Sequence, residues 1–295
     1  MIGDCKNVDM LHHSAIGVIG LSIAVASHEN VAGILFLVGS IIADLDAFLV
    51  LFGRSFYLKN HQGFSHSLLL IPLYSMLLCL VISYWLEFSW INFFALLLGW
   101  VIHSLLDYSN TYGISLFYPI SKKRYALDAI FFVDTSMLIL TGLMLYFQFT
   151  LWLYLSLFLL YIIIKKIMQV VVKKRLNATI VIPSAFNPFA FFVYHNGNEE
   201  EIITYNYNAS SKQISHKKHY IKQDKLWHNL TQKSSLFQDI LEVTRALHIV
   251  SIEEKDDNLT IIAKDLALRN FGGRFATTTL IFNKNRELID ENSNI

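Results

Sequence analysis

Six apolar runs fill most of the first 175 residues, at about 12–28, 31–52, 66–86, 90–107, 128–148 and 150–172. Each is close to the ~20 residues that a helix needs to cross the hydrocarbon layer. Wherever lipid surrounds a backbone, its N–H and C=O groups must be satisfied internally, so runs of this length fold as helices. The chain as a whole agrees. Of its 295 residues 54% are hydrophobic and 16% charged, and the mean hydropathy is +0.44. That is too apolar for an ordinary soluble protein.

The basic residues orient the runs. Lys6 precedes the first. Arg54 and Lys59 lie between the second and third, and Lys122, Lys123 and Arg124 between the fourth and fifth. Lys165, Lys166, Lys173, Lys174 and Arg175 close the sixth, the first two of them expected to snorkel. The other connections, around Glu29, Glu87 and Gln148, hold no Lys or Arg. Six spans with both termini cytoplasmic satisfy every loop, which places the chain in the cell (inner) membrane as a multi-pass protein. The start, MIGDCKNVDMLHHSAIG, carries acids and lacks a small-residue cleavage site, so its apolar part is expected to stay as the first span. A net charge of +1 offers no basic surface for nucleic acid. Cys5 and Cys79 are far apart, which argues against a disulfide framework.

Near residue 175 the composition changes to short β-branched and aromatic runs broken by NGNEE, NASSK and KDDN. The expected organisation is an α-helical integral membrane domain over 1–175, then a small soluble α+β domain over 176–295. In the latter, ATIVIPSAFNPFAFFVYHNG reads as two strands around a Pro-containing turn, and SSLFQDILEVTRALH as a helix. The lysine-rich segment around His216 and His219 reads as solvated surface, and the tail histidines form no ligand set.

The polar residues of the membrane domain are where the chemistry lies. His12 and His13 open the first run, Asp44 and Asp46 fall late in the second, and His61 and His66 bracket the start of the third. His103 and Asp107 end the fourth, and Asp134 lies early in the fifth. The topology brings all of them to one membrane depth on the cytoplasmic side. His103 and Asp107 are four apart and share a helix face. Asp44 and Asp46 are two apart and diverge on a regular helix, so both contribute only if the helix distorts or if they serve different ions. A carboxylate deep in the bilayer costs ~2.5–3.5 kcal/mol, and three cost on the order of 10 kcal/mol, comparable to the stability of a domain. A divalent cation would offset that cost, and His with Asp is an ordinary ligand set for zinc, and also for manganese or iron.

GSIIADLDAFL, NHQGFSHSL and HSLLDYSNTYG, followed by Asp134, together resemble the YdjM-type family of membrane-bound metal-dependent hydrolases. That family's pattern is an N-terminal His, P-D-x-D, H-R-G-x-T-H-S, H-x-x-x-D and a later D-P. The resemblance covers roughly residues 10–140. It implies His13, Asp44, Asp46, His61, His66, His103, Asp107 and Asp134 as metal ligands, with His13 preferred over His12 because Gly17 follows it by four. Ala43, Gln62, Ser65 and Thr135 stand where the pattern has Pro, Arg, Thr and Pro.

The function expected is metal-dependent hydrolysis. A bound metal, zinc foremost, would activate water and polarise an ester, with Asp46 or Asp134 as general base. The depth of the site favours membrane lipid as partner and an amphiphilic ester or phosphoester as substrate. The rival readings are a cation or proton transporter and a metal-stabilised scaffold without turnover.

Overall fold

The computed structural model describes residues 3–131, 134–147, 150–197, 201–222, 225–255, 257–268 and 277–293. It divides into two compact units. The first comprises Met1–Phe52, Asn60–Ile167 and Ser184–Pro188, and the second Gly53–Lys59, Met168–Pro183 and Phe189–Ile295. The helices follow in chain order as α1 (Gly3–Ala26), α2 (Asn30–Ile42), α3 (Arg54–Asn60), α4 (Ile71–Ile82), α5 (Trp90–Ser109), α6 (Thr135–Phe147) and α7 (Leu151–Leu176). At Ala43 the chain leaves α2 for a ten-residue 3₁₀ segment, Ala43–Phe52. Such a length is uncommon for this tighter helix, and it begins where Asp44 and Asp46 enter the sequence.

Among the described residues, three helices are long and apolar enough to cross a membrane: Asn30–Phe52, Trp90–Ser109 and Trp152–Leu176. A fourth is added if Phe56–His66 and Ile71–Ile82, bent by 79°, count as one broken span. The apolar parts of α1 and α6, His12–Ala26 and Thr135–Phe147, are shorter. Helix length therefore does not establish the six spans expected from the runs. The third run gives up its first residues to a turn that carries His66. In the fifth, α6 starts only after Asp134, whose carboxylate accepts the N–H groups of Ser136 and Met137 at 3.0 and 3.2 Å. That caps the helix and ends its backward growth. The connection at Gln148 and Phe149 lies outside the described residues.

The first unit is organised by the crossing of α2 and α5. Gly39 and Gly99 face the opposite backbone. A Cβ on Gly39 would overlap the Leu96 carbonyl oxygen, and one on Gly99 the Phe36 carbonyl oxygen. Small residues allow this approach, as they do between membrane helices generally. Around the crossing, Ile16, Ile19, Phe36 and Leu106 form one apolar cluster, and Leu35, Phe93 and Leu96 another. Lys165 and Lys166, the interruption of the sixth run, both find carbonyl partners. Lys165 is buried and its Nζ donates to the Pro188 carbonyl at 3.0 Å, while Lys166 Nζ donates to that of Leu127 at 2.6 Å.

In the second unit, strands β1 (Ile180–Pro183), β2 (Ala190–Asn196), β3 (Glu201–Asn208) and β4 (Ile214–Ile221) form one antiparallel sheet in that order. After α8 (Lys225–Thr231) and α9 (Ser235–Val243), strands β5 (Leu247–Lys255), β6 (Asn258–Asp265), β7 (Thr277–Phe282) and β8 (Leu288–Ser293) form another. The end of α7 joins the first sheet: Val172 packs with Val181, Phe191, Val193 and Tyr207. Helix α9 is capped by Ser234, whose Oγ accepts the Phe237 N–H at 2.8 Å, and Phe237 sits in a core with Ile249, Ile261 and Phe282. The segment ISHKKHYI, expected as solvated surface, is the edge strand β4. It is almost wholly exposed, and lysines on an edge discourage pairing with other chains.

Gly99→Val tests the crossing. The added side chain has no room against Phe36, so the detergent-solubilised protein should lose ~1–3 kcal/mol of stability or more. Gly142→Ala, where nothing lies within 4 Å of the new Cβ, should be neutral or stabilising by up to ~1 kcal/mol. Equal melting temperatures for wild type and Gly99→Val would contradict the packing described.

Candidate metal centre

Four side chains meet beside the α2–α5 crossing. Asp44 comes from the 3₁₀ segment, His66 from the turn before α4, and His103 and Asp107 from one face of α5. One potential ligand atom from each lies within 4.8 Å of all the others, and His66, His103 and Asp107 are fully buried.

The hydrogen bonds around the group fix which atoms face it. His103 Nδ1 is 2.7 Å from the carbonyl oxygen of Ser40. A carbonyl only accepts, so Nδ1 carries the proton and the neutral ring presents the Nε2 lone pair to the group. Ser65 Oγ spends its one proton on Asp46 Oδ2 at 2.7 Å and therefore accepts from His66 Nδ1 at 2.8 Å. That leaves the His66 Nε2 lone pair facing inward as well. His66 Nε2 is 3.0 Å from Asp107 Oδ2 and 3.2 Å from His103 Nε2. His103 Nε2 is 3.6 Å from Asp44 Oδ1 and 3.7 Å from Asp107 Oδ2.

Four acceptors thus converge, and the Gln62 amide donates to Asp107 Oδ2 at 3.4 Å. Asp44 Oδ2 is buried and has no hydrogen-bond partner among the described residues. Either protons or a cation must fill such a space. The spacing suits a cation. Tetrahedral zinc with bonds of ~2.0–2.1 Å holds its ligands about 3.4 Å apart, against the 3.0–3.7 Å found between neighbours here. Two carboxylates and two neutral imidazoles also balance the charge of a divalent ion. Asp44, His66, His103 and Asp107 would hold it.

The other predicted residues occupy a second layer or lie elsewhere. Asp46 does not join the four. Its Oδ1 meets His61 Nδ1 at 2.7 Å, and its Oδ2 accepts the Gln62 N–H at 2.8 Å as well as the Ser65 hydroxyl. Asp44 and Asp46 thus diverge, as residues two apart must. Asp46 orients His66 through Ser65, the arrangement in which an outer carboxylate sets a ligand's tautomer. Gln62 takes a left-handed backbone, φ 58°, which turns its N–H to Asp46. His13 lies against the group: its Nε2 is 3.1 Å from Asp107 Oδ1, and its ring stacks on His103 with centroids 3.8 Å apart. His12 lines a small cavity of about 20 Å³ with His13 and Asn110, room for about one water. Asp134 is not brought to the group. Besides capping α6 it accepts the Tyr161 hydroxyl on both oxygens, at 2.8 and 3.0 Å.

Several supporting residues escape a reading of the sequence. The Ser40 carbonyl has no side-chain signature at all. Trp100 Nε1 donates to the Ser65 carbonyl at 2.8 Å and pins the His66 turn to α5. Arg124, read above only for its charge, donates to the His61 carbonyl at 2.7 Å. Ser65 was legible as the residue before His66, though its part as a relay was not.

Apolar helices long enough to span a bilayer, carrying a buried Asp/His group fit for a metal, define a helical membrane protein with a candidate metal site. The family model described as YdjM inner membrane protein matches residues 8–175, more than half of the chain, and the chain belongs to that family. It is also 30% identical over 158 residues to a Bacillus subtilis (strain 168) protein described as "Uncharacterized protein YfhP". That alignment covers 49% of this chain and 47% of the relative, so the chain spans about half the length of the curated relative it matches. No solved structure matches.

Substitutions should separate the two layers. Asp107→Asn should abolish stoichiometric metal binding, and Asp46→Asn should weaken it by about 10–100-fold. Asp134→Asn should keep the metal and cost ~0.5–2 kcal/mol of stability through the weakened cap. Metal content by plasma mass spectrometry, paired with thermal melts, reads both quantities. Metal lost from Asp134→Asn but retained by Asp107→Asn would reverse the assignment.

Proposed function

We propose that the chain is an integral membrane metal-dependent hydrolase acting on an ester or phosphoester of a lipid-like substrate at the cytoplasmic face. One observation carries this reading: four inward-facing acceptor atoms, from Asp44, His66, His103 and Asp107, lie within 4.8 Å of one another. Two imidazole nitrogens and two carboxylate oxygens suit zinc first, with manganese or iron as alternatives. Bound there, the ion would lower the pKa of water at the site and polarise the ester being cut.

The chain's own groups would do the rest. Ser40 and Ser65 hold the two imidazoles in the tautomer that presents Nε2. Asp44 is the most accessible of the four, with 20% of its side chain exposed, and its carboxylate would take a proton from attacking water. Asp46 and Asp134, the bases expected from the sequence, spend their oxygens on other partners, which moves that role to Asp44.

The proposal includes six spans, with α1, the bent third run and α6 crossing despite their short helices. It places a membrane domain over 1–175, a cytoplasmic domain over 176–295, and both termini in the cytoplasm. Support comes from the basic residues, confined to alternate loops. Reporters fused after Glu29 and Glu87 should score external, and those after Asn60, Lys123 and Glu201 internal. An external score after Glu201 would end this topology.

Turnover is tested on the full chain in detergent, stripped by chelator, reloaded with zinc and assayed on carboxyl-ester and phosphoester lipids. Cleavage should return with zinc and fall at least ~100-fold in Asp107→Asn, as for loss of a metal ligand. Stoichiometric zinc without cleavage of any ester would replace the hydrolase by a metal-stabilised scaffold. Failure to bind zinc would mean that protons fill the acceptor cluster.

A further inference from the structure

An apolar groove of about 530 Å³ opens beside the candidate metal centre, between the 3₁₀ segment Ala43–Phe52 and α4. That volume is within the ~300–1,000 Å³ common for sites that take small molecules. Leu45, Leu49, Leu77 and Val81 line it, and Asp46 and Ser65 are buried polar residues of the same lining. Leu45, Leu77 and Val81 are themselves 52%, 52% and 59% exposed.

Two features identify the occupant. First, both walls belong to candidate membrane segments, Asn30–Phe52 and the bent pair ending at Ile82. The groove is therefore continuous with the surface that lipid covers, and its mouth faces hydrocarbon rather than water. Second, its polar residues lead to the site. Ser65 Oγ is one hydrogen bond, 2.8 Å, from His66 Nδ1, on the ring whose Nε2 faces Asp107 and His103. A molecule lying in the groove has its apolar length among leucines and can place one end against Ser65 and Asp46, which adjoin the metal ligand His66. A water-soluble ester would gain nothing from such walls, whereas an acyl chain moves between lipid and groove without crossing water.

We propose that this groove seats one acyl chain of a membrane lipid and so delivers the lipid's polar end to Asp44, His66, His103 and Asp107. The lipid's standing as substrate rests on the hydrolase reading; the seating of its chain does not.

The test uses the full chain in vesicles of phosphatidylcholine and phosphatidylglycerol, doped with a phospholipid that carries a diazirine on one acyl chain. After irradiation, labelled positions are mapped by peptide mass spectrometry. Label should concentrate on Leu45, Leu49, Leu77 and Val81 relative to Leu73, which is equally exposed on α4 but outside the groove. Val81→Trp and Leu77→Trp, which fill the groove from its exposed side, should each lower labelling of residues 42–49 by about fivefold or more. Leu73→Trp should leave it unchanged. Even labelling over all exposed apolar positions would overturn the proposal, as would, where the wild type cleaves a lipid ester, unchanged cleavage in both groove-filling variants. Concentrated label without cleavage of any ester would uphold the groove while removing the hydrolase reading.

Discussion

The backbone contact between α2 and α5 is the constraint on which the polar group depends. With glycine at 39 and 99, the helices meet carbonyl to Cα. Ser40, the next residue after Gly39, can then offer its carbonyl to His103, one turn beyond Gly99, at 2.7 Å. That one bond sets the imidazole's tautomer. Five residues past Gly39 the chain has left the α-helix, and Asp44 reaches the same ring. A side chain wider than hydrogen at either glycine would separate all of these atoms together. Packing and chemistry are thus linked through a contact that contains no functional group.

Electrostatics explains why the arrangement suits a cation. Buried carboxylates are costly unless paired, and in membrane segments the penalty rises further. The outer layer does not remove it. His61, Gln62 and Ser65 satisfy Asp46, which is placed to orient His66. His13 and Gln62 donate to or lie against Asp107, but among the described residues no lysine or arginine pairs with Asp44 or Asp107. Neutral donors and imidazoles leave two negative charges facing one small space. A divalent ion matches that charge and, by the spacing of the ligand atoms, its size.

Much of this was legible in the sequence, for physical reasons that differ from residue to residue. His103 and Asp107 follow from the helical period, and an uncharged stretch like NVAGILFLVGSII has little alternative to helix. Membership of the YdjM family was carried by motif order. What sequence could not sort was first contact from second. Asp44 and Asp46 are the same residue type two apart, and only the turn at Gln62, in a left-handed conformation, decides that Asp46 faces the loop instead of the group. Asp134 has the chemistry of a ligand but meets a helix N-terminus and Tyr161, a partner 27 residues away. The six spans are not established by helix length for a related reason. Hydropathy registers apolar length, not the bend that brings His66 inward or the cap that shortens α6. The edge strand β4 was missed because its exposed lysines mask a β pattern.

The central claim is that two histidines and two aspartates, brought together from the 3₁₀ segment, the turn before α4 and helix α5, close on a single ion. X-ray absorption at the zinc edge, on the full chain loaded with one equivalent of zinc, tests it most directly. The account predicts two imidazole nitrogens at ~2.0–2.1 Å, recognisable by multiple scattering from the rings, and carboxylate oxygens at ~2.0–2.2 Å. Those imidazole features should vanish in His66→Ala,His103→Ala. A spectrum of oxygen ligands alone, or imidazole scattering unchanged by that double substitution, would contradict it.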